Sequence, residues 1–185
     1  MSDTNPKTEE VLFAGFGGQG VLSMGQILAY SGMMEGKEVC WMPSYGPEMR
    51  GGTANCVVIV SKEAIISPII STYDTVVALN QPSVDKFEKS VKPGGTLIYE
   101  TSTVNKPPTR TDIKVIPVSA NEEAIKMGFQ KGFNMIVLGA FIEARKTIST
   151  EGVEKGLKKA LPERYHNTIP QNMEAFFKGA AFVNN

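Results

Sequence analysis

The chain has 185 residues, 42% of them hydrophobic, enough to bury one core and too few for two independent domains. Its 19 basic and 19 acidic residues cancel, and no block of like charge interrupts the sequence, which speaks against a nucleic-acid or membrane-surface partner. Two cysteines outside any CxxC pair exclude a disulfide framework and a cysteine-ligated cluster, and place the chain in a reducing cytoplasm.

Residues 1–9 are polar, lack the basic start and apolar run of an export signal, and read as a disordered leader. Val11 to Gly15 forms an apolar run that predicts a strand, and Val21, Leu22, Met24, Ile27 and Leu28 follow at helical spacing. Gly36 ends that helix, Val39 to Met42 supplies a second strand, and a loop dense in turn formers runs from Pro43 to Gly52. Strands are expected at 53–60 and 75–79, then a helix opened by Gln81-Pro82 with Val84, Phe87 and Val91 on its apolar face, stopped by Pro93-Gly94-Gly95. Further strands follow at 96–99 and 114–118. Ser119 and Glu122 stand in capping-box spacing, which predicts a helix to about Gly128. The remainder reads as helices: 134–146, one capped by Ser149 with Val153, Leu157 and Leu161 on a common face, and 172–182. The expected architecture is one α/β domain over 1–185, sheet-rich across 11–118 and mostly helical across 119–183. It has a mainly parallel open sheet, helices on both faces and a helical C-terminal segment, in a Rossmann-like arrangement.

Two stretches carry the functional signal. Gly15-Phe16-Gly17-Gly18-Gln19-Gly20 has G-x-G-x-x-G spacing between a predicted strand and a predicted helix, where glycines allow a tight turn and helix-start amides attract an anion. An ordinary NAD site also wants a carboxylate at the end of the second strand, and that strand ends in Trp41-Met42-Pro43. No Gly-Lys-Ser/Thr follows, which excludes a P-loop. A plain tight turn that lets Gly20 pack the helix on the sheet is the alternative reading.

The second stretch is the 43–52 loop, where Tyr45, Glu48, Arg50 and Gly51 mix rigid turns with binding chemistry. Arg50 offers a planar fork for a phosphate or carboxylate, and an internal Glu48–Arg50 ion pair on a solvated turn is the alternative. Asn80, just past the carboxyl end of a strand, is expected to join both loops at the sheet rim. His166, the only histidine, reads as a surface residue and is not expected to act as a base. Cys40 and Cys56, in apolar runs, are expected to pack, and Met33, Met34, Met42 and Met49 are mainly core filling, with an adaptable surface as the other use.

The motifs GFGGQG and YGPEMRGG resemble those of the gamma subunit of 2-oxoacid:ferredoxin oxidoreductases, nearest to the 2-oxoglutarate type. The Val76 to Asn80 strand, the Lys92-Pro93-Gly94-Gly95 turn and the 134–144 helix share in the likeness. The resemblance implies a part in CoA-dependent oxidative decarboxylation of a 2-oxoacid, with pyruvate or branched-chain acids as other substrates. It also implies alpha, beta and delta subunits as partners, with ferredoxin served indirectly; the sequence itself leaves open whether the isolated chain forms a homodimer through an uncovered apolar face. Thiamine diphosphate with Mg and the iron–sulfur cluster would sit on the other subunits. Gly17, Gly18, Gln19, Tyr45, Glu48 and Arg50 would face the entrance used by CoA. Two readings from other classes stand beside it: a free-standing dinucleotide-binding protein using 15–20, and a pure assembly scaffold.

Overall fold

The computed structural model describes residues 7–44 and 53–184. Its sheet has six strands: β1 (Thr8–Phe16), β2 (Glu38–Ser44), β3 (Thr53–Ser61), β4 (Tyr73–Ala78), β5 (Val91–Glu100) and β6 (Lys114–Val118), in the order β2-β3-β1-β4-β5-β6. β1 pairs parallel with β4, β4 with β5 and β5 with β6, whereas β3 runs antiparallel to both β1 and β2. Five strands therefore point one way and β3 alone is reversed. The reason is local: the link from Ser44 to Thr53 is shorter than the dozen or so residues a parallel crossover needs.

β1 is buried on both faces, which is why its centre reads as an unbroken apolar run instead of an alternation. Val11 and Phe13 face one core and Leu12 and Ala14 the other. The larger core takes side chains from α1 (Val21–Met34), α3 (Ala120–Lys126), α4 (Phe133–Arg145), α5 (Thr150–Ala160) and α6 (Ile169–Asn184). The smaller core is closed by α2 (Gln81–Phe87) through Val84 and by Val104. Helices thus cover both faces, with five of the six on one side. α4 crosses the larger face from end to end: Phe141 meets Phe13 edge-on, with ring centroids 5.7 Å apart. At its far end Arg145 donates to the buried Glu9 carboxylate at 2.8 Å, and Thr75 donates to the same carboxylate at 2.6 Å. No described helix is long and apolar enough to cross a membrane.

Several local expectations are corrected. Thr8 and Glu9, assigned to a disordered leader, are paired with Ser61 and Val60, because the Glu9 carboxylate is held by Arg145 and Thr75. The Lys7 carbonyl likewise accepts from the Lys62 amide at 2.8 Å, and residues 1–6 lie outside the described residues. Val91 belongs to β5 instead of the apolar face of α2, and the strand runs through Pro93-Gly94-Gly95, since Gly95 fits where a Cβ would lie 2.7 Å from the Asp74 carbonyl oxygen. Ser119 does not cap α3: its hydroxyl bonds Thr101 Oγ1 at 2.9 Å, and Glu122 pairs with Lys126. Ser149 does cap α5, its hydroxyl accepting from the Gly152 amide at 3.0 Å.

Candidate functional site at the carboxyl rim of the sheet

β1 delivers Phe16 to the rim, and the chain turns at once into α1. The Gln19 amide donates to the Phe16 carbonyl at 3.2 Å, closing the turn. Gly20 stands at the helix start with φ 76°, left-handed backbone that side chains other than glycine resist, and no side chain caps the helix. The amides of the first turn therefore point outward without a side-chain partner, the arrangement that favours an anion. Against them lies an open cleft of about 240 Å³, bounded by Phe16, Gly17, Gly18 and Gly20, the first turn of α1, and Ala54 of β3.

Tyr45, Glu48, Arg50 and Gly51 lie outside the described residues. The two residues that bound their segment are described: Ser44 pairs with Asn55, and Thr53 pairs with Phe16. Both ends of the second loop therefore start from the rim that carries the glycine turn, and Ala54 in the cleft wall is next to one of them.

The other expected residues have different duties. Gly15 is buried near the end of β1, where a Cβ would meet Gln19 Oε1 at 2.7 Å. Gln19 is engaged at both ends of its amide: Oε1 accepts from the Phe16 N–H at 2.6 Å and Nε2 donates to the Leu79 carbonyl at 3.1 Å. Asn80 sits at the same rim but is buried, its Oδ1 accepting from the Ser83 amide at 2.9 Å to cap α2. It does not line the cleft; its Nδ2 is buried without a partner among the described residues. Sequence reasoning passed over Thr103, whose hydroxyl donates to the Leu79 carbonyl at 2.7 Å, and Asn134, which packs on Gly20. Neither lies in a recognisable motif, and only the folded chain brings them to the rim.

Burial pushes the Cys56 thiol up to about 12, so it stays protonated and packs, its Sγ donating to the Val21 carbonyl at 3.4 Å. Cys40 pairs with Ile59, three positions from Cys56 along β3, so the two thiols point to opposite faces and cannot share a ligand. His166 Nε2 bonds the Leu161 carbonyl at 2.9 Å. Among the described residues no three His, Cys, Asp or Glu side chains converge as a metal site would require.

These features define an open-sheet α/β protein that presents a bare helix start and a cleft at its carboxyl rim, the place where this class of fold receives ligands. Residues 10–182 match the pyruvate ferredoxin/flavodoxin oxidoreductase family, and the chain belongs to it. It is 44% identical over 174 residues to the ketoisovalerate oxidoreductase subunit VorA of Methanothermobacter thermautotrophicus, a match covering 94% of this chain and 36% of that one. The gamma subunit of keto/oxoacid ferredoxin oxidoreductase from Geobacter sulfurreducens has the same fold, with a TM-score of 0.79 and 29% identity over 95% of this chain and 98% of its own. The 2-oxoglutarate:ferredoxin oxidoreductase of Magnetococcus marinus, solved with 2-oxoglutarate, coenzyme A and succinyl-CoA bound, gives a TM-score of 0.86 and 26% identity over 97% of this chain and 32% of that chain. This chain thus spans about a third of the VorA relative and nearly the whole of the Geobacter subunit. The names of these proteins include both ketoisovalerate and 2-oxoglutarate.

Proposed function

We propose that this chain is the gamma subunit of a 2-oxoacid:ferredoxin oxidoreductase and that its glycine rim forms one wall of the CoA entrance, with thiamine diphosphate, Mg and the iron–sulfur cluster held by alpha, beta and delta partners. The observation that carries the reading is the single cleft joining the uncapped start of α1 to the base of the second loop at Ala54. Outward amides and the positive end of a 14-residue helix suit a phosphate of the coenzyme. Arg50, in the adjoining segment, would add a second, bidentate contact. A cleft of about 240 Å³ is too small to enclose CoA, so a second wall from a partner completes it. A dinucleotide is disfavoured because β2 ends in Met42, Pro43 and Ser44, with no carboxylate for a ribose hydroxyl.

The test is co-expression with the neighbouring large chains. A tagged copy is expected to bring down a thiamine-dependent complex that reduces ferredoxin with a 2-oxoacid and CoA. In that complex Arg50→Ala is expected to raise KM for CoA about tenfold, the cost of one charge-assisted contact, with kcat little changed. An unchanged KM would leave the chain an assembly scaffold, and tight dinucleotide binding by the chain alone would replace the proposal.

A further inference from the structure

We infer that Gln19 is a positioning residue, a brace whose amide ties the glycine turn to the carboxyl end of β4 and so holds the first-turn amides of α1 toward the cleft. The inference rests on the reading of the cleft proposed above. A side chain at the tip of a glycine turn ordinarily reaches into solvent, whereas this one turns back and uses both of its functions. Oε1 takes the Phe16 N–H at 2.6 Å, and Nε2 gives to the Leu79 carbonyl at 3.1 Å. The same carbonyl receives the Thr103 hydroxyl at 2.7 Å, and Thr103 also lies 3.0 Å from Glu100 Oε2. The Leu79 amide in turn donates to the Ala14 carbonyl at 2.8 Å. Turn, β4 and the end of β5 are thereby linked through one residue, Leu79.

Two features make glutamine specific here. Gly15 has no Cβ, and one would lie 2.7 Å from Oε1, so the bare backbone is what admits the amide. The brace also requires an acceptor toward Phe16 and a donor toward Leu79 on one planar group of this reach. A glutamate carboxylate would set an acceptor against the Leu79 carbonyl, whereas its protonated form restores the donor. Gly18, at φ 97°, carries no side chain and opens onto free space, so it adds nothing to the brace.

The experiment uses the assembled complex carrying Gln19→Glu, Gln19→Ala or Thr103→Val, with two readouts: KM for CoA against kcat across pH, and hydrogen exchange of peptides spanning 14–24. Glu100, reached through Thr103, is the titratable group connected to the brace among the described residues. For Gln19→Glu at alkaline pH, KM is expected to rise about tenfold with kcat within twofold, as for loss of a positioning hydrogen bond. The difference is expected to close as acid protonates the new carboxyl. Gln19→Ala is expected to raise KM at every pH. Both substitutions are expected to speed exchange in the turn. Thr103→Val, which leaves Gln19 in place, is expected to lower the melting temperature without moving KM. Unchanged exchange in Gln19→Ala would overturn the brace. Faster exchange with an unchanged KM would instead overturn the CoA reading of the cleft, leaving the brace intact. A pH-independent KM defect in Gln19→Glu would show that the donor to Leu79 is not what matters.

Discussion

Gly20→Ala tests how the helix start is built, and its cost has two separable parts. The backbone there has φ 76° and ψ 17°, a conformation that costs an alanine about 1–2 kcal/mol. The new Cβ would also lie 2.9 Å from Asn134 Cβ and 3.3 Å from Asn134 Cγ, well inside the ~3.5–4.0 Å optimum for carbon pairs. Forcing α1 and α4 apart is an overpacking cost of about 1–3 kcal/mol, so the total is about 2–5 kcal/mol, a large share of a domain's ~5–15 kcal/mol. Urea denaturation of wild type, Gly20→Ala, Asn134→Gly and the double variant forms a cycle that separates the two parts. Asn134→Gly removes the opposing side chain at about 0.3 kcal/mol of helix propensity, since asparagine is itself a weak helix former, so the double variant is expected to recover the steric part and keep the backbone part. A Gly20→Ala loss below about 0.5 kcal/mol, the range of an ordinary surface substitution, would refute the account. So would exact additivity of the two changes, which would mean that Asn134 does not press on position 20.

Two further substitutions probe the scaffold behind the rim. At Gly179 a Cβ would fall on the Ile136 carbonyl oxygen, 1.7 Å away, so Gly179→Ala is expected to separate α6 from α4 and lower the melting temperature by several degrees, at about 2–4 °C per kcal/mol. Arg145→Met strands the Glu9 carboxyl, which is 1% exposed, and is expected to cost about 3–5 kcal/mol near neutral pH. Burial already holds the Glu9 carboxyl above its ordinary 4.5, against the lowering influence of Arg145 and Thr75. With the folded value above the unfolded one, the native state binds the proton more readily. Stability therefore rises as pH falls through the folded value toward 4.5. The Arg145→Met deficit is expected to shrink in that direction, as read by melting temperature against pH, and to shrink at all pH values when Glu9→Gln is added.

Much of the rim was legible in the residues. An apolar run ending in glycines, followed by Met24, Ile27 and Leu28 at helical spacing, can hardly be anything but strand, turn and helix, and the buried face of α1 is built from those side chains. Ser149 was readable as a cap because its hydroxyl bonds the Gly152 amide, whereas the Ser119 hydroxyl is taken by Thr101, a residue in the turn that follows β5. The break at Val91 was misplaced for a related reason: proline and glycine end helices, but here they lie within a strand that opens beside Asp74. Gln19 and Asn80 were expected to serve a ligand or partner, and in the structure both make hydrogen bonds within the chain. Position along the chain tells where a polar side chain starts, whereas its hydrogen bonds depend on which carbonyls and amides the fold brings within reach, as with Leu79 and Ser83.

The chain contains a single tryptophan, Trp41. It is 36% exposed and lies on β2, where its indole and the Cys56 thiol both lie against Gly25 of α1. From Trp41 the strand runs on to Ser44, at the edge of the rim. The indole is therefore a built-in fluorophore at the junction of helix, sheet and loop. Its emission maximum is expected to move when a coenzyme or a subunit alters the packing there, so occupancy of the rim can be titrated optically on the unlabelled chain.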